Sequence, residues 1–210
     1  MLVSTLVSSG CLRTPRIIDA FRKIRREDFL PPEIKHLSPL NAPLPIGEGQ
    51  TISQPLTVAF MFELLAPGAG DRILDVGSGS GWTAALLSEI VGKSGKVYAI
   101  EILPKIKDFG EKNAAKYGFA KKGILKFHLG DGTAGIKEKA PFDKILVSAS
   151  APNVPGSLKD QLKIGGVMVI PVKNSILRIT KKEENCFLRE EYPGFVFVPL
   201  ISKSQAPKTS

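Results

Sequence analysis

The stretch Ile73-Leu74-Asp75-Val76-Gly77-Ser78-Gly79-Ser80-Gly81-Trp82 constrains this chain more than any other. An apolar run passes straight into three alternate glycines and then into a helical pattern. Glycine lets the backbone turn sharply and approach a ligand closely, so the expected unit is a buried strand, a ligand-facing loop and a helix. The spacing fits two common phosphate sites poorly. The third glycine of a dinucleotide fingerprint would fall at Trp82, and no lysine follows as a Walker loop requires. Any strand-to-helix turn can use a glycine; three in alternation behind a strand-borne Asp exceed that need.

The pattern around this unit repeats it. Apolar runs at 72–76, 96–102, 125–129, 144–148 and 167–172 read as strands, and 82–91 and 104–117 as helices, the latter with Pro104 at its start. Strands separated by helical segments call for crossover connections and a parallel sheet covered on both faces. Two further runs, 176–181 and 195–200, read as strands with no helix between them. The expected fold class is therefore α/β: a doubly wound, mostly parallel seven-stranded sheet, with an N-terminal helical extension that includes an amphipathic helix at 15–26. The Pro- and Gly-rich segment 40–54 reads as a loop over the sheet edge. It leads into 55–65, apolar nearly all round, which should be a buried helix. At 210 residues the chain suits one domain: N-terminal helices and a loop in 1–66, the sheet in 67–201, and a frayed polar tail in 202–210.

Composition narrows the function classes. Hydrophobic residues at 43% and charged residues at 23% fit a soluble globular protein and not a disordered one. No apolar run approaches the roughly 18 residues of a membrane span, so no membrane role is expected. Cys11 and Cys186 are too few for a disulfide framework, and no Cys/His cluster suggests a metal; a reducing, cytoplasmic setting fits. The net charge of +9 lies largely in Arg13, Arg16, Arg22, Lys23, Arg25 and Arg26 and in Lys105, Lys107, Lys112, Lys116, Lys121, Lys122 and Lys126. These read as solvated helix faces, because no aromatic residues interleave as stacking platforms for nucleic acid.

Two more strand ends carry candidate ligand groups. Glu101 stands at the carboxyl end of the second strand, where doubly wound sheets bind ligands and a carboxylate can accept both hydroxyls of a ribose. At the end of the third, Gly130-Asp131-Gly132 offers small residues to admit a flat ring and an acceptor for an exocyclic amine. His36 and His128 are the only imidazoles. His128, inside an apolar strand, reads as a hydrogen-bonded structural residue. A substrate group that needs no deprotonation suits this inventory, and a carboxylate with a free pKa of about 4 is such a group.

Together the glycine loop, Glu101 and Gly-Asp-Gly resemble the class I methyltransferases that use S-adenosyl-L-methionine and release S-adenosyl-L-homocysteine. The resemblance implies that Asp75, Gly77, Ser78, Gly79 and Gly81 hold the methionyl end, Glu101 the ribose, and Asp131 with Gly132 the adenine. Ser148-Ala149-Ser150-Ala151-Pro152 lacks the motifs of DNA amino and cytosine C5 methyltransferases. The segment from Pro43 through Gly47-Glu48-Gly49-Gln50-Thr51-Ile52-Ser53-Gln54 to Pro55 resembles the signature loop of the protein L-isoaspartate O-methyltransferase family. So do Arg25-Arg26-Glu27-Asp28-Phe29-Leu30-Pro31 and Phe197-Val198-Pro199-Leu200. The likeness implies methylation of isoaspartyl carboxyls in damaged proteins and peptides, a catalytic Ser53 with Gln50, Thr51 and Ile52 lining its site, and the family's swapped order of the last two strands. Ser53 is also placed to cap the helix beginning near Pro55. Glu48, Gln54, Leu56 and the Val172-Lys173 pair depart from the family pattern, and an acid at Glu48 would repel a carboxylate unless it faces solvent or pairs with a base. A monomer is expected. Another acceptor such as RNA, or cofactor binding without catalysis, remains an alternative on the residues alone.

Overall fold

The computed structural model describes residues 2–203. Its centre is a seven-stranded sheet in the order β5-β4-β3-β6-β7-β8-β9. The strands are β3 (Arg72–Val76), β4 (Lys96–Glu101), β5 (Leu125–Leu129), β6 (Phe142–Val147), β7 (Leu162–Val172), β8 (Ser175–Glu183) and β9 (Cys186–Pro193), after a two-stranded hairpin of β1 (Leu44–Gly47) and β2 (Gln50–Ile52). The helices are α1 (Leu2–Ser8), α2 (Pro15–Lys23), α3 (Pro55–Leu65), α4 (Trp82–Val91), α5 (Pro104–Ala115) and α6 (Gly156–Asp160). β3 pairs in parallel with β4 on one side and β6 on the other. The chain thus leaves β3 in one direction and later returns to its opposite flank, which opens a crevice beyond the carboxyl end of β3.

Local chemistry explains the elements that position this crevice. In β3 the side chains from Ile73 to Val76 are buried, as a strand covered on both faces requires. α3 and α5 each begin with a proline, whose fixed φ suits the first helical turn. α3 buries Pro55, Thr57, Val58, Ala59, Met61, Phe62 and Leu65, which cover more than half of its circumference. α2 buries Ile17, Ala20 and Phe21, a stripe at helical spacing, with Arg22 and Lys23 in its last turn. Phe21 meets Phe62 and Trp82 edge-on at ring separations of 5.9 and 5.5 Å, tying α2 to α3 and α4.

Several sequence expectations need correction. The segment 40–54 is not a plain loop: it carries the β1-β2 hairpin, whose tip Gly47-Glu48-Gly49 has positive φ at all three residues. The helix expected to reach residue 26 ends at Lys23, and Arg26 lies buried in a one-turn 3-10 segment, Arg26–Phe29. The strand expected at 195–200 is absent. The last strand is β9, whose alternating exposure and charged Arg189, Glu190 and Glu191 conceal it from a search for apolar runs. A short turn at Lys173-Asn174 makes β8 pair antiparallel with β7 and leaves β9 at the edge, so the last three strands lie in chain order, the arrangement that the family's swap of the last two strands implied. The apolar 195–200 stretch instead crosses the strand ends as a strap. Ser150 N–H donates to Val198 O and Leu200 N–H to Ser150 O, both at 2.8 Å. The tail expected at 202–210 lies outside the described residues from 204 onward.

Most of the basic residues are exposed, including Arg13, Arg16, Arg22, Lys23 and Arg25 and the lysines at 105, 112, 116, 121, 122 and 126. Arg26 is the exception in the first run. Among the described residues no helix is long and apolar enough to cross a membrane, and no group of three or more His, Cys, Asp or Glu is placed to hold a metal ion.

Candidate active site

The crevice at the end of β3 holds two adjoining clefts. The larger, about 520 Å³, is walled by Gly77, Gly79, Glu101, Gly132, Ser148 and Gln50 among others. The smaller, about 300 Å³, is lined by Thr51, Ile52, Ser53, Ser78, Ser80, Trp82 and Thr83. They share Thr51, Gly77, Gly79 and Ser148.

The glycine loop is built as its sequence suggests. Gly77, Gly79 and Gly81 have φ of +72°, +52° and +83°, the left-handed region that side chains disfavour. The N–H groups of Gly77 and Ser78 both donate to Ile100 O, at 2.9 and 3.2 Å. Gly79 N–H donates to Glu101 Oε2 at 3.1 Å, while Ile102 and Leu103 N–H donate to Glu101 Oε1 at 2.9 and 3.1 Å. Glu101 therefore fixes the loop as well as facing the larger cleft.

Asp75 and Gly81 do not line either cleft. Asp75 is fully buried behind the loop, where Thr83 Oγ1 donates to its Oδ2 at 2.8 Å and its Oδ1 has no partner. Burial, joined by the Glu101 charge and opposed by the Thr83 hydrogen bond, pushes its pKa up to about 7. Gly81 packs on α5: a Cβ there would meet Gly110 O at 2.5 Å. Asp131 is turned to the strap and to its own turn. Thr133 N–H and Oγ1 donate to its Oδ1 at 2.8 and 2.6 Å, and Lys203 N–H donates to its Oδ2 at 2.8 Å. Burial raises its pKa, but these hydrogen bonds and the Lys203 charge outweigh that and hold it below the usual carboxylate value. Gly132 does wall the larger cleft, and a Cβ on it would lie 2.5 Å from Val76 Cγ1.

Ser53 follows β2 and lies half-buried in the smaller cleft, joined there by Thr51 and Ile52, while Gln50 and Thr51 wall the larger one. Its expected capping role is absent: Gln54 is the residue that precedes α3, and no side chain caps the helix. Among the described residues the Ser53 hydroxyl has no hydrogen bond within the chain. Glu48 is exposed at the hairpin tip, where Lys105 Nζ lies 3.3 Å from its Oε1, so the acid is both solvated and paired. Leu56 N–H donates to Asn41 Oδ1 at 3.0 Å, linking the start of α3 to the segment before the hairpin.

His128 departs from its expected structural hydrogen bond. Its Nε2 is buried without a partner, and burial lowers its pKa. It lines neither cleft. Sequence reasoning missed the strap as a wall of the larger cleft, where Val198, Pro199, Leu200 and Ile201 stand. It also missed Ser148 and Ala149, and Arg26, whose guanidinium donates to Ser53 O at 3.2 Å. An apolar run without a helix or a turn signal marked the strap; nothing local marked Arg26.

The donor set suits S-adenosyl-L-methionine. Glycines with no Cβ line the larger cleft, the Ser78 hydroxyl and Asp75 Oδ1 are buried without partners, and the Glu101 carboxylate has acceptor capacity beyond its three N–H bonds.

Comparison with known proteins identifies the family. Residues 1–205 match the family described as Protein-L-isoaspartate(D-aspartate) O-methyltransferase (PCMT). A protein named protein-L-isoaspartate O-methyltransferase from Methanopyrus kandleri is 43% identical over 206 residues, covering 96% of this chain and 90% of that one. Protein-L-isoaspartate O-methyltransferase 2 of Archaeoglobus fulgidus is 44% identical over 188 residues, covering 88% and 84%. A solved Plasmodium falciparum structure described under the same enzyme name, in complex with S-adenosyl-L-homocysteine, superposes with a TM-score of 0.86. It is 24% identical, with 95% of this chain and 96% of that one covered, and shares the fold. The glycine loop, the Ser53 hairpin and a match along nearly its whole length place this chain in the protein-L-isoaspartate (D-aspartate) O-methyltransferase family.

Proposed function

We infer that this chain methylates the abnormal carboxyl group of L-isoaspartyl residues in damaged proteins and peptides, using S-adenosyl-L-methionine. The observation that carries the reading is the pair of adjoining clefts, one walled by glycines and Glu101, the other polar and lined by Ser53. When bound, the cofactor supplies an electrophilic methyl group on a sulfonium. An ionised carboxylate has no proton to lose at neutral pH, so the chain needs no general base between the clefts, and none lines the smaller one. Its own residues orient and enclose. Gly77, Ser78, Gly79 and Glu101 hold the cofactor, and Gly132 borders its ring end. Asp131 acts there through Oδ2 and the strap. Asp75 and Gly81 support the loop from behind. The Ser53 hydroxyl, unspent within the chain, donates to one oxygen of the acceptor carboxylate and aims it at the methyl group. Gln50, Thr51 and Ile52 on the hairpin and Val198–Ile201 on the strap exclude water, which favours a charge-neutralising transfer.

The same reading makes the chain a single-domain, cytoplasmic protein that works as a monomer on polypeptides and not on nucleic acid. Free Cys11 and Cys186 fit a reducing compartment. The test is the release of base-labile methanol after incubation with labelled cofactor and an isoaspartyl peptide, the matched aspartyl peptide or bulk RNA. Label on the isoaspartyl peptide alone is expected. Label on RNA, or on none of the three by a folded protein that binds S-adenosylhomocysteine, would overturn the assignment.

A further inference from the structure

Arg26 stands out as a buried cation that forms no ion pair among the described residues, only 5% exposed in a run whose other members reach solvent. Main-chain carbonyls take its terminal N–H groups. Nη1 donates to Ser38 O at 3.1 Å and Leu40 O at 2.9 Å, and Nη2 to Ala42 O at 2.7 Å and Ser53 O at 3.2 Å. The guanidinium carbon sits 5.7 Å from the centre of the Trp82 ring. Trp82 opens α4 directly after the glycine loop and lines the smaller cleft. One planar group thus ties together the segment before the hairpin, the residue that follows it and the helix that follows the cofactor loop.

The geometry points to Arg26 as the positioning residue of the methyl-acceptor cleft, acting through the Ser53 carbonyl and the Trp82 face to hold the Ser53 hydroxyl against the glycine loop. The inference rests on the reading of Ser53 as the acceptor-orienting group. Because the Ser53 hydroxyl has no bond of its own within the chain, its place is set by its backbone, and Arg26 grips that backbone. Burial lowers the Arg26 pKa to about 10, which leaves it charged at neutral pH. Four carbonyl oxygens answer that charge, so Arg26 is not available as a direct counter-ion for the substrate. Its contribution is the fixed fork of donors. Lysine keeps the charge but offers three donors around one nitrogen, and it cannot reach four carbonyls in a plane.

The test uses the full chain with Arg26→Lys and Arg26→Gln, each alone and combined with Ser53→Ala, assayed well below the measured melting temperature of each variant. The kcat on an isoaspartyl peptide should fall about 10- to 100-fold in Arg26→Lys, as a misplacement on the order of 1 Å can cause. S-adenosylhomocysteine affinity by calorimetry should change little. In the Ser53→Ala background, Arg26→Lys should have almost no further effect, because the group it positions is gone. A merely structural role predicts the opposite: a lower melting point, unchanged kcat in the folded protein, and effects that multiply with Ser53→Ala. If Arg26→Gln does not fold, Arg26→Lys decides. Wild-type kcat in Arg26→Lys, or a loss explained by weaker cofactor binding, overturns the positioning role alone. A wild-type protein that leaves isoaspartyl peptides unmethylated overturns the functional reading and this inference with it.

Discussion

Replacing Gly110 by alanine sets two physical effects against each other inside α5. Helix propensity alone makes Gly→Ala in a helix interior stabilising by about 0.8–1 kcal/mol. The surroundings oppose it: a Cβ on Gly110 would lie 2.5 Å from Gly79 O, 3.1 Å from Gly81 N and 3.2 Å from the Ser80 carbonyl carbon. Real Cβ contacts essentially never fall below 3.0 Å, so α5 and the loop must separate by at least half an ångström. The obstacle is main chain, which has no rotamer to escape into, so the overpacking cost takes the upper part of the usual range of about 1–3 kcal/mol. A net destabilisation of about 1–2 kcal/mol follows, or a melting point lower by roughly 2–8 °C for a chain of this size. The displaced residue is Gly79, whose N–H meets Glu101 at 3.1 Å and which borders both clefts. Gly110→Ala should therefore also weaken S-adenosylhomocysteine by about tenfold, or ~1.4 kcal/mol, from a position outside the cavity. Differential scanning calorimetry and titration calorimetry on one preparation check both. A raised melting point with unchanged affinity would refute the close-approach argument and leave propensity as the whole effect.

Other substitutions separate the remaining roles. Ser53→Ala should lower methylation by a factor on the order of 10–1,000 with almost no change in melting point, because α3 has no side-chain cap to lose; full activity would sink the orienting role. Glu101→Ala should weaken S-adenosylhomocysteine by roughly 1.5–3 kcal/mol and lower stability too, since three N–H groups lose their acceptor; equal affinity in calorimetry would reject the ribose assignment. Asp75 should make stability depend on pH. With its folded pKa raised from 3.8 to about 7, the native state keeps a proton that the unfolded chain has released. Its stabilising contribution is therefore full below about pH 4 and is lost as pH rises through about 7. Asp75→Asn should flatten that ramp in denaturant midpoints taken from about pH 5 to about pH 8, and an unchanged slope would count against the raised pKa.

Much of the fold was legible because its signals are local. The strand at Arg72–Val76 and the helices at Trp82–Val91 and Pro55–Leu65 lie where apolar periodicity, glycines and a helix-starting proline put them. Each signal depends only on neighbours along the chain: side-chain period, φ preference and a missing N–H. The same locality exposed the glycine loop and Glu101 at adjacent strand ends. β9 escaped because an edge strand with one solvated face can be largely polar, and the 195–200 run misled because an apolar stretch can cover strand ends as readily as join a sheet.

The sequence by itself determined the parallel αβ rhythm, the glycine loop between β3 and α4 and the family to which the chain belongs. Only the tertiary structure decided which charge of a basic run is buried, where the acid at the hairpin tip points, and that Ser53 is left without a capping role. Arg26 and Arg25 are neighbours with the same side chain, yet one is enclosed by carbonyls from residues 38, 40, 42 and 53 and the other is exposed. Glu48 finds Lys105 across 57 positions of sequence. Burial and pairing of a polar group are set by which distant backbone and side-chain groups reach it, and the free energy of a charge depends on those partners more than on its own identity.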